Sequence, residues 1–172
     1  MTILPIITIP DPILRKKALP VERVDDAVRR LADDMLATMY DAPGVGLAAP
    51  QVGILRRLVV LDASEDEETR RPMVLINPEI VTLGSDKRVY EEGCLSIPEI
   101  KVEIERPASL TVRFLDRDGK SQELRAAGLL ATAIQHEVDH LEGRLIIDFL
   151  SRLKRDIIVR RFRKQAKPAG DD

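Results

Sequence analysis

The chain has two histidines, and both fall in one five-residue segment, His136-Glu137-Val138-Asp139-His140. This is an H-E-x-x-H sequence in a helical context. Residues four apart on a helix lie about 40° apart around its axis, so both imidazoles point the same way and can share one metal ion. Glu137 projects roughly a quarter-turn from His136. Its carboxylate then lies beside the metal, in reach of a bound water, without ligating. The bland alternative is a pair of hydrogen-bonded core histidines. Placing every histidine of the chain in this one motif favours the metal reading.

Two imidazoles do not complete a catalytic site, which usually has three protein ligands and one open position. The extended protease pattern puts a third histidine six residues after His140, following Gly143, but that position is Ile146. Another protease class uses a downstream Glu, and no Glu follows Glu142. Asp148 and Asp156 remain formal candidates. The other is Cys94, the only thiol, in Glu91-Glu92-Gly93-Cys94-Leu95-Ser96-Ile97-Pro98. A cysteine often packs as a small buried hydrophobe. The glycine before it and the incomplete histidine pair shift the balance toward ligation. A thiolate beside two imidazoles suits Zn(II) or Fe(II) and leaves a fourth position for water.

A third segment, Gly44-Val45-Gly46-Leu47-Ala48-Ala49-Pro50-Gln51, superficially fits a dinucleotide-binding pattern. That pattern needs a strand before it and a helix after it. Here a helix precedes it, and Pro50 and an apolar run follow, so the nucleotide reading fails. A plain turn is the simple reading. The functional one is a backbone wall that another chain can approach closely, with Gln51 offering an amide donor to a developing oxyanion.

Periodicity supplies the elements that must hold these residues. Val24, Val28, Leu31, Met35 and Met39 recur at steps of three and four, giving an N-terminal amphipathic helix over about Val24 to Tyr40. Asp25 and Asp26 can cap its start, and Pro43-Gly44 ends it. A strand-rich middle follows. Leu58 to Leu61 and Met73 to Ile76 are apolar runs of strand length, with a polar surface loop from Ser64 to Arg71 between them. Leu110, Val112 and Phe114 alternate with polar residues as a half-buried strand, and Asp118-Gly119 signals a hairpin turn. The motif helix spans Gly128 to Glu142. It is apolar over most of its circumference, with a polar edge of Gln135, Asp139 and Glu142, so it is central and buried. Gly143 stops it, while no clear N-cap starts it. A C-terminal helix covers Phe149 to Lys164, with Leu150, Leu153, Ile157, Ile158 and Phe162 as its apolar face. The tail, residues 169–172, is expected to be disordered. The fold class is α+β, with antiparallel sheets, a buried metal-bearing helix, and N- and C-terminal helices.

Length and composition limit the alternatives. At 172 residues, one catalytic domain over residues 1–168 can bury about two-thirds of its unfolded surface. The net charge of −2 gives no overall pull toward DNA or an anionic membrane. No apolar stretch approaches the roughly 18 residues of a membrane span. The apolar start, Met1 to Pro10, lacks the basic residues and cleavage site of a signal peptide. A single cysteine excludes an intrachain disulfide and is safest in a reducing cytoplasm. The charge is uneven: residues 149–172 carry +5 against −7 for the rest. A solvated basic face explains that simply.

Taken together and in order, the three segments resemble the peptide deformylase signature. That family carries a G-x-G-x-A-A-x-Q loop, an E-G-C-L-S segment and a Q-H-E-x-D-H-L-x-G helix. Gly44 to Gln51, Glu92 to Ser96 and Gln135 to Gly143 match every fixed position. The resemblance implies that antiparallel sheets surround the motif helix and that Cys94, His136 and His140 hold the metal, with water in the fourth place. It implies Fe(II) as the cofactor, with Zn(II), Ni(II) or Co(II) as substitutes. The implied reaction removes the N-formyl group from the initiator methionine of nascent polypeptides and releases formate, in the cytoplasm. Glu137 is then the general base, with Gln51 and the backbone N–H of Leu95 facing the oxyanion. Val45, Gly46 and Gly93 pair with the extended peptide, and Leu129 lines the methionine pocket. The basic C-terminal helix (149–167) could make transient ribosome contact. Lys101, outside the motifs, lies where the substrate cleft varies. The rival readings are a metallopeptidase cutting unblocked peptide bonds, which needs another third ligand, and a non-catalytic metal module, which needs a fourth.

Overall fold

The computed structural model describes residues 1–166, so the expected disordered tail lies outside the described residues. The first long helix, α1, runs Asp26–Asp41, with the Asp25 side chain accepting from the Val28 N–H at its start. Short strands β1 (Gly46–Ala48) and β2 (Leu58–Leu61) follow, separated by a 3₁₀ turn over Ala49–Val52. Then come β3 (Met73–Leu83), β4 (Lys87–Cys94), β5 (Ile97–Pro107), β6 (Ser109–Leu115) and β7 (Ser121–Ala127). Helix α2 spans Gly128–Leu141, and helix α3 spans Arg152–Gln165.

All strand pairs are antiparallel and form two sheets. One has five strands in the order β1-β2-β3-β6-β7, and the other is the β4-β5 pair. The apolar run Leu58-Val59-Val60-Leu61 is now explained, because β2 is covered on both faces. Val59 and Leu61 pack with Ala131, Ile134 and Leu141 of α2. Leu58 and Val60 pack with Val28, Ala32, Met35 and Met39 of α1. A third apolar cluster joins Ile97, Val102 and Ile104 of β5 to Leu145, Ile146, Ile147 and Phe162.

The buried central helix is as expected. Its start has an unusual form: no side chain caps it. Instead Gly128 adopts φ +64 and its N–H donates to Ala108 O. The C-terminal helix differs from the sequence expectation. It begins at Arg152, where Ser151 accepts from the Lys154 N–H. Phe149 belongs to a preceding 3₁₀ turn, Ile146–Phe149. Its apolar face is also divided. Phe162 is buried and Leu150 and Ile158 pack on the third cluster, while Leu153 and Ile157 are exposed.

Candidate metal centre

Helix α2 turns Ile134 and Leu141 to the sheet, and that rotation puts His136 and His140 on the adjoining face. Both are buried, with ring centroids 5.1 Å apart. Cys94 comes from the other sheet. It ends β4 at a register shift, where Gly93 faces Lys101 but Cys94 faces Ile97. Residues Pro98 to Ile100 are left unpaired there as a bulge, and they line the same cleft as Cys94.

One donor atom from each of Cys94, His136 and His140 lies within 4.8 Å of the other two. Among the described residues this is the one such group of three. Cys94 Sγ stands 3.3 Å from His140 Nε2. A sulfur about 2.3 Å and a nitrogen about 2.0 Å from one tetrahedral ion stand about 3.5 Å apart, so the donors fit a shared metal. Without a metal, the two rings differ in their hold on a proton. Burial opposes charge on His136, but the Cys94 and Glu92 hydrogen bonds outweigh it and hold its pKa well above the usual value. Burial, and then His136 itself, hold His140 well below.

The histidine orientation is fixed from behind. Glu92 Oε1 lies 3.0 Å from His136 Nδ1. Glu92 stays a carboxylate: burial raises its pKa, but His136 and Arg106 together pull it below the usual value. It therefore accepts the Nδ1–H, and a metal at Nε2 would displace the second ring proton. Arg106 in turn donates to Glu92 through Nε (2.7 Å) and Nη2 (3.2 Å).

Glu137 is 3% exposed. Its Oε1 is 3.9 Å from His136 Nε2, and its Oε2 is buried with no protein partner. Burial pushes this carboxyl up to about 7, with His136 opposing. Such a group can take and return a proton near neutrality. Gln51 is also buried; its Oε1 accepts from the Ala48 N–H at 2.9 Å. Its Nε2 donates to Ser96 Oγ at 3.0 Å and faces Cys94 Sγ at 3.7 Å. The amide expected from the sequence therefore points at the donor cluster.

Gln51, Cys94, His136 and Glu137 floor a cleft of about 680 Å³, whose lining includes Val45, Gly46, Gly93, Leu95, Lys101, Leu129 and Thr132. One wall is β1, an edge strand of the five-stranded sheet; the other is β4. Two strand edges thus face one groove. The Val45 carbonyl already accepts from the Asp62 N–H, while a backbone carbonyl keeps a second lone pair. Gly93 is overlain by Lys101, whose Nζ would stand 2.6 Å from a Cβ at that position. Asp148 is paired with Arg15 and Asp156 lies on α3, outside the cluster. The sequence reading had not singled out Arg106, Asp139 or Thr132 as site residues. Period-two alternation of Val102, Ile104 and Arg106 on the buried side of β5 was the available signal.

Fold and site define a metal-dependent hydrolase class, in which an H-E-x-x-H helix is completed by a cysteine from a separate sheet. The comparisons narrow it. The family model described as polypeptide deformylase matches residues 3–156, so the chain belongs to that family. A peptide deformylase of Rhizobium meliloti is 57% identical over 170 residues, covering 99% of this chain and 98% of the relative. A crystal structure of peptide deformylase from Ehrlichia chaffeensis in complex with actinonin superposes with a TM-score of 0.92 at 39% identity, covering 98% and 100% of the two chains. One from Legionella pneumophila gives 0.86 at 44%, covering 97% and 100%.

Proposed function

We propose that this chain hydrolyses the N-formyl group of formylmethionyl peptides, releasing formate and a free N-terminal amine, through residues 1–168 as one catalytic domain. The observation that carries this is the Cys94–His136–His140 cluster, whose Cys94 and His136 line a groove bounded by two strand edges. An extended peptide can add to both edges at once, which places its N-terminus over the cluster.

Cys94, His136 and His140 are the residues proposed to hold the metal. When bound, a divalent metal lowers the pKa of water and polarises the formyl carbonyl. Glu137 takes one proton from the attacking water. The C–N bond then breaks, and Glu137 returns the proton to the leaving amine. The Gln51 Nε2–H and the Leu95 backbone N–H face the oxyanion; one such donor is worth about 3 kcal/mol of barrier. The Val45 N–H, Gly46 and Gly93 hold the peptide backbone, and Leu129, exposed on the cleft side of α2, lines the methionine pocket.

Fe(II) is the proposed native metal. A thiolate with two imidazoles supports it and equally accommodates Zn(II), Ni(II) or Co(II). The proposed setting is protein biosynthesis in the cytoplasm, acting on nascent chains. Among the described residues no helix is long and apolar enough to cross a membrane. The basic face of α3 supports transient docking on ribosomal RNA. Ribosome pelleting that weakens steeply with added salt is expected; salt-insensitive pelleting, or none, overturns the docking.

The deciding experiment is anaerobic formate release by Fe(II)-loaded protein, with elemental analysis of the same sample. A formylated Met-peptide should be turned over and its unformylated counterpart left intact. Cleavage of the unblocked peptide would favour a metallopeptidase instead.

A further inference from the structure

We propose that Arg106 is a positioning residue for this centre: its guanidinium sets the separation between Cys94 and the His136–His140 pair. The inference rests on the ligand reading above.

Cys94 and the histidines sit on separate units. Cys94 belongs to the β4-β5 pair, which shares no strand with the five-stranded sheet. The histidines ride on α2, which packs against that other sheet. Strand hydrogen bonding therefore leaves their spacing unset. Arg106, on β5, bridges the gap. Two of its nitrogens bind Glu92, two residues before Cys94, and Glu92 also holds His136 Nδ1. Its Nη1 donates at 2.9 Å to Asp139, the residue before His140. One planar fork thus reaches a neighbour of each donor. The Phe149 ring lies over the guanidinium, 4.8 Å from its carbon.

Arg106 is well placed for this role and no other in the reaction. Its side chain is 7% exposed, and Glu92 is 5% exposed. It does not line the substrate cleft, so it touches neither peptide nor water there. The Gln51–Ser96 bond also ties the region of Cys94 to the body of the protein, but it reaches neither histidine. Lysine cannot replace the fork, because an ammonium is a point charge that cannot hold two carboxylates in this planar geometry.

The test uses Co(II)-loaded protein, whose sulfur-to-metal and d–d absorption bands read the donor geometry directly. Metal affinity comes from chelator competition, and kcat and KM from formate release at saturating Co(II). Arg106→Lys should weaken metal binding about 10–100-fold, shift the bands, and lower kcat with KM unchanged. The double variant Glu92→Gln/Arg106→Met removes both charges together and should behave likewise. Phe149→Ala, which uncovers the guanidinium without removing it, should move the bands in the same direction by less. Arg57→Lys alters another ion pair, to Glu142 at the C-terminal cap of α2, and should leave bands and affinity native.

Native affinity and native bands in Arg106→Lys would overturn the proposal, as would a raised KM with kcat unchanged. Cys94→Ser separates the two levels of inference. If it abolishes the sulfur band while Arg106→Lys changes nothing, the positioning role alone is wrong. If Cys94→Ser leaves the band in place, the ligand reading has failed and the positioning role falls with it.

Discussion

Adding one methyl group to Gly46 should disable Glu137 without touching it chemically. A Cβ at Gly46 would lie 2.9 Å from both Cγ and Oε1 of Glu137 and 3.0 Å from its Cδ. Non-bonded carbons sit comfortably at about 3.5–4 Å, so something must move by roughly 0.5–1 Å. Gly46 is held in β1 opposite Leu61, whereas Glu137 Oε2 has no protein partner. The carboxylate is thus the softer side. A misplacement of about 1 Å can cost 10²-fold in rate, so a shift of this size predicts a kcat loss of about 10–100-fold, or about 1.4–2.7 kcal/mol of barrier. The assay is steady-state formate release at saturating metal, with metal content measured on the same protein. Metal content should stay native, because the three atoms nearest the new methyl group all belong to Glu137 and not to a proposed ligand. A second measurement isolates the cause. In a Glu137→Ala background the Gly46→Ala change should have almost no further effect on kcat. Two outcomes refute the reasoning: Gly46→Ala with kcat within twofold of native, or the same fractional loss with and without Glu137.

Glu137→Ala should keep its metal and lose about 10²–10⁴-fold in turnover; near-native turnover would remove it as the base. Cys94→Ser should change metal occupancy and activity more than thermal stability, and unaltered metal binding would remove Cys94 from the ligand set. Asp62 is buried, which by itself raises its pKa, but hydrogen bonds from Ser64, Tyr40 and the Arg71 N–H outweigh this and hold it below the usual value. Its depressed pKa contributes stability that is fully present above the unfolded carboxylate value of about 3.9 and is lost as pH falls below it. Asp62→Asn should flatten that acid limb in pH-dependent denaturant melts, and an unchanged limb counts against the assignment. Gly143→Ala should be destabilising, since φ is +75 and a Cβ would stand 2.4 Å from Arg15 O. The backbone strain alone costs about 1–3 kcal/mol, so an unshifted unfolding midpoint would contradict the geometry.

The parts of this protein that were legible beforehand depend on short-range order. The i, i+4 spacing of His136 and His140 forces a common direction on any helix, and the stripe of Ile134, Val138 and Leu141 made that helix buried. The run Leu58 to Leu61 read as a strand from its length and apolar content, and the fold added that both its faces are covered. Less was visible in β4 and β5, where exposed Lys101, Glu103 and Glu105 alternate with the buried side and hide two of the longer strands. The exposed Leu153 and Ile157 misled in the opposite sense. Apolar residues at helical spacing suggested one packed face, but α3 meets the body along a line that includes only some of them.

The sequence by itself determined the donor types, their order along the chain, and the helical spacing that aligns two of them, because these follow from chain chemistry and from the 3.6-residue turn. Tertiary structure decided what no local pattern encodes. It brought Cys94, on a separate two-stranded sheet, to 3.3 Å from His140. It also turned the polar edge of α2 from a surface into an interior contact, burying Gln135 and pairing Asp139 with Arg106. A carboxylate's type says nothing about which distant cation will cover it. Only packing the two sheets across α2 assigns that partner, and with it the spacing of the centre.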